Sequence, residues 1–171
     1  MSKYLKRRES QAKSRRPKFT IRPLGATHLN ALLRMERRTF SDPWTPGFFI
    51  DAMSHSEHPE RPEDATICWG CWRGGKLVGY LIALPLEDSL HIANLAVTRR
   101  FRRQGLGRRM MRKLYPVARA RKFKQLTLET RPSNREAIAF YESEGFRQIG
   151  VEKGYYLDEE DAWVMGKRII G

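Results

Sequence analysis

Arg102-Arg103-Gln104-Gly105-Leu106-Gly107 stands between an apolar run, Leu90 to Val97, and a segment that places Leu106, Met110, Leu114, Val117 and Ala118 on one helical stripe. A strand therefore leads into a glycine-bearing turn, and an amphipathic helix leads out of it. The first amides of any helix lack an intrahelical acceptor and sit at the positive end of its dipole, so such a turn aims several N–H donors at one point. At Gly107 the missing side chain would let backbone come close to a phosphate, where a β-branched residue would hold it off. The expectation is a cradle for a phosphorylated ligand. Taken as six residues alone, the stretch is equally compatible with a plain glycine turn before a surface helix.

Two phosphate-binding turns are excluded by the residues themselves. A Walker loop needs Lys-Ser or Lys-Thr after its last glycine, where this chain has Arg108 and Arg109. A dinucleotide fingerprint needs a third glycine, where Met110 stands. The pattern that remains is R/Q-x-x-G-x-G/A.

Outward from the turn, the coarse order is alternating. Phe19 to Leu24 reads as a strand, Thr27 to Phe40 as a helix with Leu29, Leu32, Leu33, Met35 and Glu36 in register, and Thr45 opens a second short helix with Pro46 at its first position. Strands follow at Ala65 to Arg73, Lys76 to Leu84 and Leu90 to Val97, the first two joined by the hairpin signal Gly74-Gly75. After the central helix, expected to kink at Pro116, come a strand at Gln125 to Thr130, a helix at Ser133 to Glu144, and strands near Phe146 to Lys153 and Ala162 to Arg168. The order predicts an α/β fold: a single mixed twisted β-sheet of about seven strands flanked by about four helices.

Of the formal net charge of +14 on 171 residues, two blocks supply more than the whole. Residues 1–18 hold eight Lys/Arg against one acid, and residues 99–124 hold twelve with no acid, leaving the remainder at a net −5. The first block has almost nothing apolar to bury and reads as a disordered basic arm, either solubilising or in contact with nucleic acid or an anionic surface, ahead of one domain at 19–171. In the second, Arg102, Arg103 and Arg108 lie close enough to the turn to neutralise a multiply charged ligand. Cys68 and Cys71 fall in a strand, where residues three apart point to opposite faces, so they read as core thiols and not as a metal or disulfide pair. His55 and His58 read as part of a solvated loop, and no metal site is expected. No apolar run is long enough to cross a bilayer and the N-terminus lacks the apolar stretch of a secretory signal, so a soluble cytoplasmic protein is expected.

The chain resembles the GNAT superfamily of acetyl-CoA-dependent N-acetyltransferases, most closely its RimI-type branch, which acetylates the N-terminal amine of a ribosomal protein. Beside the turn, the resemblance is carried by Phe40-Ser41-Asp42-Pro43-Trp44, Asn94-Leu95-Ala96-Val97, Leu128-Glu129-Thr130-Arg131-Pro132-Ser133-Asn134, Ala137 to Glu142, Gly145-Phe146, and Gly154-Tyr155-Tyr156 with Glu160-Asp161-Ala162. The basic arm and a long Ser54 to Asp64 segment depart from that pattern.

The resemblance implies acetyl-CoA as cosubstrate, no metal, and direct attack by the amine. It assigns Arg102, Arg103, Gln104, Gly105, Leu106, Gly107 and Arg108 to the pyrophosphate, the backbone of Leu95, Ala96 and Val97 to the acetyl carbonyl, and Asn134 to further cofactor contact. Glu129 is then the general base and Tyr141 the general acid for the leaving thiolate, while Tyr155 and Tyr156 hold the peptide backbone. Read as bare residues, Glu129 could instead pair with Arg131, Tyr141 could be a core aromatic, and the tyrosine pair could pack a hairpin. The implied partner is a protein N-terminus, that of a ribosomal protein, met by a monomer or weak dimer, with the arm available for ribosome or RNA contact. Lysine, polyamine or small-amine acetylation, or a non-catalytic RNA-binding module of the same fold, are the alternatives.

Overall fold

The computed structural model describes residues 18–57 and 65–169. Seven strands, β1 (Phe19–Pro23), β2 (Ile67–Arg73), β3 (Lys76–Leu86), β4 (Ser89–Val97), β5 (Gln125–Thr130), β6 (Arg147–Glu152) and β7 (Ala162–Arg168), form one sheet in the order β1-β2-β3-β4-β5-β7-β6. Four α-helices flank it: α1 (Leu29–Thr39), α2 (Pro46–Ser54), α3 (Leu106–Ala120) and α4 (Arg135–Ser143). The basic arm, apart from Lys18, lies outside the described residues, as does His58.

Local chemistry accounts for most boundaries. Gly74 and Gly75 both take positive φ, 55° and 77°, as a two-residue turn matching strand twist requires. Pro46 occupies the first turn of α2 behind Thr45, where its missing N–H costs nothing. α1 begins two residues later than the pattern suggests, because Ala26–His28 form a 3-10 turn, and it stops before Phe40, which is extended. His55 is exposed but belongs to a 3-10 turn, His55–Glu57, with its Nδ1 against the Asp51 carbonyl at 2.8 Å; the solvated-loop reading is corrected there. α3 continues past the exposed Pro116 to Ala120.

The sheet separates two clusters. On one face Leu81, Leu90, Ile92, Leu126, Leu128 and Phe146 pack with Met110, Met111 and Leu114 of α3. On the other, Leu32 and Met35 of α1 and Phe49 and Met53 of α2 pack on Cys68, Tyr80, Ile82 and Ala96. Cys71 belongs to the first cluster and Cys68 to the second, as strand alternation demands. Burial pushes the Cys68 thiol up to about 12, well away from the reactive thiolate.

The feature that positions the site is an interruption. β4 and β5 are the parallel pair in a sheet otherwise antiparallel, and they stay in register only over Ser89–His91 and Gln125–Thr127. Beyond these residues they part. Between Ile82 and Ala83 the β3–β4 register also shifts, so that Ala93 is an extra residue on β4 and the strand bends where the gap opens.

Candidate active site

The gap is bounded by the C-terminal halves of β4 and β5. Parallel pairing has ended there, so backbone groups of β4 that face β5 no longer have a ladder partner and are available to a ligand. Leu95 and Val97 turn their side chains to the α3 cluster and Ala96 to the other, which leaves the main chain as the part exposed to the gap. The Val97 carbonyl accepts from Arg102 Nε at 3.1 Å, tying the end of β4 to the turn that follows.

That turn is built from unusual backbone. Arg103 and Gly105 both adopt left-handed φ, 60° and 75°, with Gln104 between them outside that region. Arg103 is a strained choice, since an L-residue there costs roughly 1–2 kcal/mol. Alternation of this kind gathers N–H groups into a concave nest. Gly105 caps α3, and Arg109 makes the first i→i−4 bond to its carbonyl at 2.9 Å; the amides of Leu106, Gly107 and Arg108 precede that bond. A Cβ on Gly105 would meet nothing within 4 Å, so glycine is needed there for its φ and not for space.

Gly107 has a packing reason that the sequence does not suggest. A Cβ there would lie 3.1 Å from Phe140 Cζ, so this glycine lets α3 and α4 approach each other. The arginines are likewise more committed than expected. Arg102 and Arg103 pair with Glu136 of α4 at 3.1 and 3.8 Å, and Arg108 pairs with Glu144 at 2.5 Å while reaching Ser143 Oγ. Gln104 donates to the Arg100 carbonyl. The cradle offers a ligand mainly backbone donors, with Arg103 the most exposed of the three cations. Asn134 is the N-cap of α4, its side chain accepting from the Ala137 amide at 3.2 Å.

On the β5 wall, Glu129 does not pair with Arg131. Its Oε2 lies 3.0 Å from His91 Nε2, and both side chains are only about one-sixth exposed (15% and 16%). His91 Nδ1 is 3.1 Å from Thr127 Oγ1, so a ring protonated on Nε2 donates to Glu129 and accepts from the threonine. Glu129 Oε1 has no hydrogen-bond partner among the described residues. Arg131 turns to the β6–β7 loop instead, bonding Asp158 and Glu160 at 2.7–2.9 Å with its guanidinium 3.8 Å above the Tyr156 ring.

Tyr141 comes from the opposite face of the sheet, packed edge-on against Phe140 and Phe146. Burial drives its hydroxyl pKa well above the usual 10, and the neighbouring Tyr156 adds to the rise. Tyr155 and Tyr156 meet at 5.0 Å in an edge-to-face pair on the β6–β7 loop, not within a hairpin strand. Burial raises both hydroxyls, Tyr156 to about 12, and the Glu129 carboxylate raises each of them further. The Glu129 carboxylate thus raises Tyr156, and Tyr156 in turn raises Tyr141.

Two features escaped sequence reasoning. His91 lay inside an apolar strand, and the only hint was that its alternation matches that of Glu129 once the two strands are adjacent. Glu36 sits on the buried stripe of α1, 1% exposed, accepting from the Trp44 amide (3.0 Å), Asn94 Nδ2 (3.2 Å) and the Tyr80 hydroxyl. A buried carboxylate needs such donors to be tolerated, and here they fasten the Phe40–Thr45 loop to the bent segment of β4. A charged residue on an otherwise apolar stripe was the available signal.

Residues 29–146 match the model of the acetyltransferase (GNAT) family. The chain belongs to the GNAT family. This GNAT protein is 33% identical over 149 residues to the [ribosomal protein bS18]-alanine N-acetyltransferase of Escherichia coli K12, covering 85% of this chain and 95% of that one. The crystal structure of the Escherichia coli ribosomal-protein-S18-alanine N-acetyltransferase superposes with a TM-score of 0.76 over 90% of this chain and 96% of the other, at 32% identity. Ard1 from Thermoplasma volcanium gives 0.79 over 90% and 99%, at 26% identity. The GNAT acetyltransferase fold expected from the sequence is therefore the fold observed. Among the described residues no helix is long and apolar enough to cross a membrane, and no group of His, Cys, Asp or Glu is arranged to hold a metal.

Proposed function

We propose that this GNAT enzyme transfers the acetyl group of acetyl-CoA to the N-terminal α-amine of a protein, a ribosomal protein with a small first residue being the leading candidate. The observation that carries the reading is a largely buried carboxylate, Glu129, held by His91 through one oxygen where β4 and β5 part, with the buried Tyr141 on the other face of the sheet. Likeness to the bS18-alanine N-acetyltransferase over nearly the whole chain supports the substrate class.

Acetyl-CoA supplies an activated thioester, and its fit rests on the nest at Arg103–Gly105 and the free amides of Leu106 to Arg108. Each residue then has one task. Backbone N–H groups near Leu95, Ala96 and Val97 stabilise charge developing on the acetyl oxygen. Asn134 keeps its amide nitrogen for the cofactor while its oxygen caps α4. Glu129 takes a proton from the amine, directly or through one water, through the oxygen that His91 does not hold. A free α-amine has a pKa near 8, against about 10.4 for lysine, so a carboxylate held this way is an adequate base for the former. Tyr141 gives its proton to the departing thiolate, and its raised pKa keeps that proton in place at working pH.

Tyr155 and Tyr156 line the peptide side, with Leu157 almost fully exposed beside them. The acidic run there attracts basic peptide less than its sequence suggests: Asp158 and Glu160 are paired with Arg131, and Asp161 with Lys153 at 2.6 Å. Among the described residues, Glu159 alone of that run is left without an ion pair. Preference should therefore rest on the free amine and the first side chain. Mass spectrometry of a peptide panel incubated with acetyl-CoA tests this, with acetylation expected on unblocked alanine- and serine-first peptides. Faster modification of internal lysines in N-blocked peptides would place the enzyme in the lysine class, and no transfer at all would point to a non-catalytic module.

A further inference from the structure

Beyond acetyl transfer, we infer that the outward face of α3 is a docking surface for the phosphate backbone of RNA, separate from the cofactor cradle at the helix's start. The cations of α3 divide into two groups. Arg108 is neutralised by Glu144 at the C-cap of α4, as Arg102 and Arg103 just ahead of the helix are by Glu136. Arg109, Arg112, Lys113 and Arg119 recur at helical spacing on one face, and Lys122 follows directly. Among the described residues, Arg112, Arg119 and Lys122 have no ion-pair partner, and the sequence from 99 to 124 contains no acid to offer one.

Arg109 and Lys113 extend the face across the sheet edge. They donate to the Phe19 and Ile21 carbonyls of β1, at 3.2 and 3.4 Å, and Lys113 also lies 4.9 Å from the centre of the Trp69 ring. These contacts hold the cations in place without cancelling their charge. Outside residues 1–18 and 99–124 the chain nets −5, so the positive charge is not spread evenly over the molecule. The outward face of α3 thus concentrates positive charge that no acid among the described residues neutralises.

Charge complementarity selects a polyanion, and the composition selects RNA among polyanions. A membrane-binding helix would interleave large apolar side chains with its cations, but the exposed large apolar residues, Phe48, Ile50, Leu86, Ile149, Val151, Tyr155 and Leu157, all lie off α3. An acidic protein partner would call for an apolar interface core, equally missing here. Guanidinium groups matched to phosphate oxygens remain the best fit.

The test uses the full chain and a fluorescent RNA hairpin of about 20 base pairs, with binding followed by anisotropy as salt is raised. Arg112→Gln/Arg119→Gln/Lys122→Gln should lose at least about tenfold in affinity at low salt, and its log–log salt slope should be shallower by about 2.7, given about 0.9 for each of the three lost phosphate contacts. Transfer to an alanine-first peptide should stay within about twofold, since none of the three touches the cradle or the gap. Wild-type affinity and slope in the variant overturn the proposal, as does preferential binding to phosphatidylserine vesicles over the hairpin. A parallel loss of peptide acetylation also overturns it, by assigning the face to the cofactor site. Loss of RNA binding with transfer intact supports the proposal, and an inactive wild type that still binds RNA through these residues would sink only the enzymatic reading.

Discussion

The two sides of the candidate site are made of different material. The cradle at Arg103–Arg108 is a backbone device: two left-handed residues and a helix start, with the nearby side chains mostly engaged by Glu136 and Glu144. The wall at His91, Glu129 and Tyr141 is a side-chain device assembled from β4, β5 and α4, with little special backbone. Backbone donors are present before the ligand arrives and serve binding. Side chains that hold or release protons serve the chemical step. Substitutions in the two regions should accordingly separate into affinity effects and rate effects.

The largest effect belongs to the wall. Glu129→Gln should lower kcat/KM by about 100-fold or more near pH 7, within the range of a lost general base, and the deficit should shrink as pH rises past about 8, where α-amines lose their proton unaided. A pH-rate profile on an alanine-first peptide reads this directly. Tyr141→Phe should cost kcat about as much at every pH up to about 10, because the raised hydroxyl pKa keeps the wild-type residue protonated over that span. The same burial stabilises the fold while the tyrosine is protonated. That contribution is complete below about pH 10 and is lost as pH climbs through the higher folded value.

His91→Ala sharpens the comparison at a lower magnitude. The ring touches Glu129 and not the reacting atoms, so kcat should drop about tenfold with KM for acetyl-CoA unchanged, and His91→Gln, which keeps a donor, should recover part of the loss. Steady-state kinetics with both variants checks the split.

In the cradle, Gly107→Val should destabilise by about 1–3 kcal/mol through collision with Phe140, visible as a lowered Tm. Gly105→Ala should cost about 1 kcal/mol for its left-handed φ and weaken acetyl-CoA severalfold, with kcat at saturation nearly intact. The smallest effect lies at the peptide rim. Hydrogen bonds from Arg131 hold the Asp158 and Glu160 carboxyls below their ordinary values, so this loop's stabilisation is present at neutral pH and lost as pH falls below about 4. Hydrogen exchange of residues 154–161 at pH 3 against pH 7 should show faster opening in acid.

The same contrast explains what could be read in advance. Glycine position, apolar period and helix-start chemistry act within a few residues, so the glycine turn that opens α3, the Gly74-Gly75 hairpin and the opposed faces of Cys68 and Cys71 were legible from the sequence. The resemblance added Glu129 and Tyr141. Illegible were features that depend on which strands become neighbours: His91 meets Glu129 only because β4 and β5 pair in parallel before parting, and Arg131 leaves Glu129 because the β6–β7 loop brings two acids to it. The packing of Gly107 against Phe140 was illegible for the same reason, since Phe140 reaches it from another helix.

The division between binding and chemistry is tested most directly by calorimetric titration of acetyl-CoA into wild type, Glu129→Gln and Tyr141→Phe beside their turnover numbers. The account predicts Kd values within about twofold of wild type while kcat falls about 100-fold. Kd values that weaken in step with kcat would contradict it, because they would make Glu129 and Tyr141 part of the cofactor site.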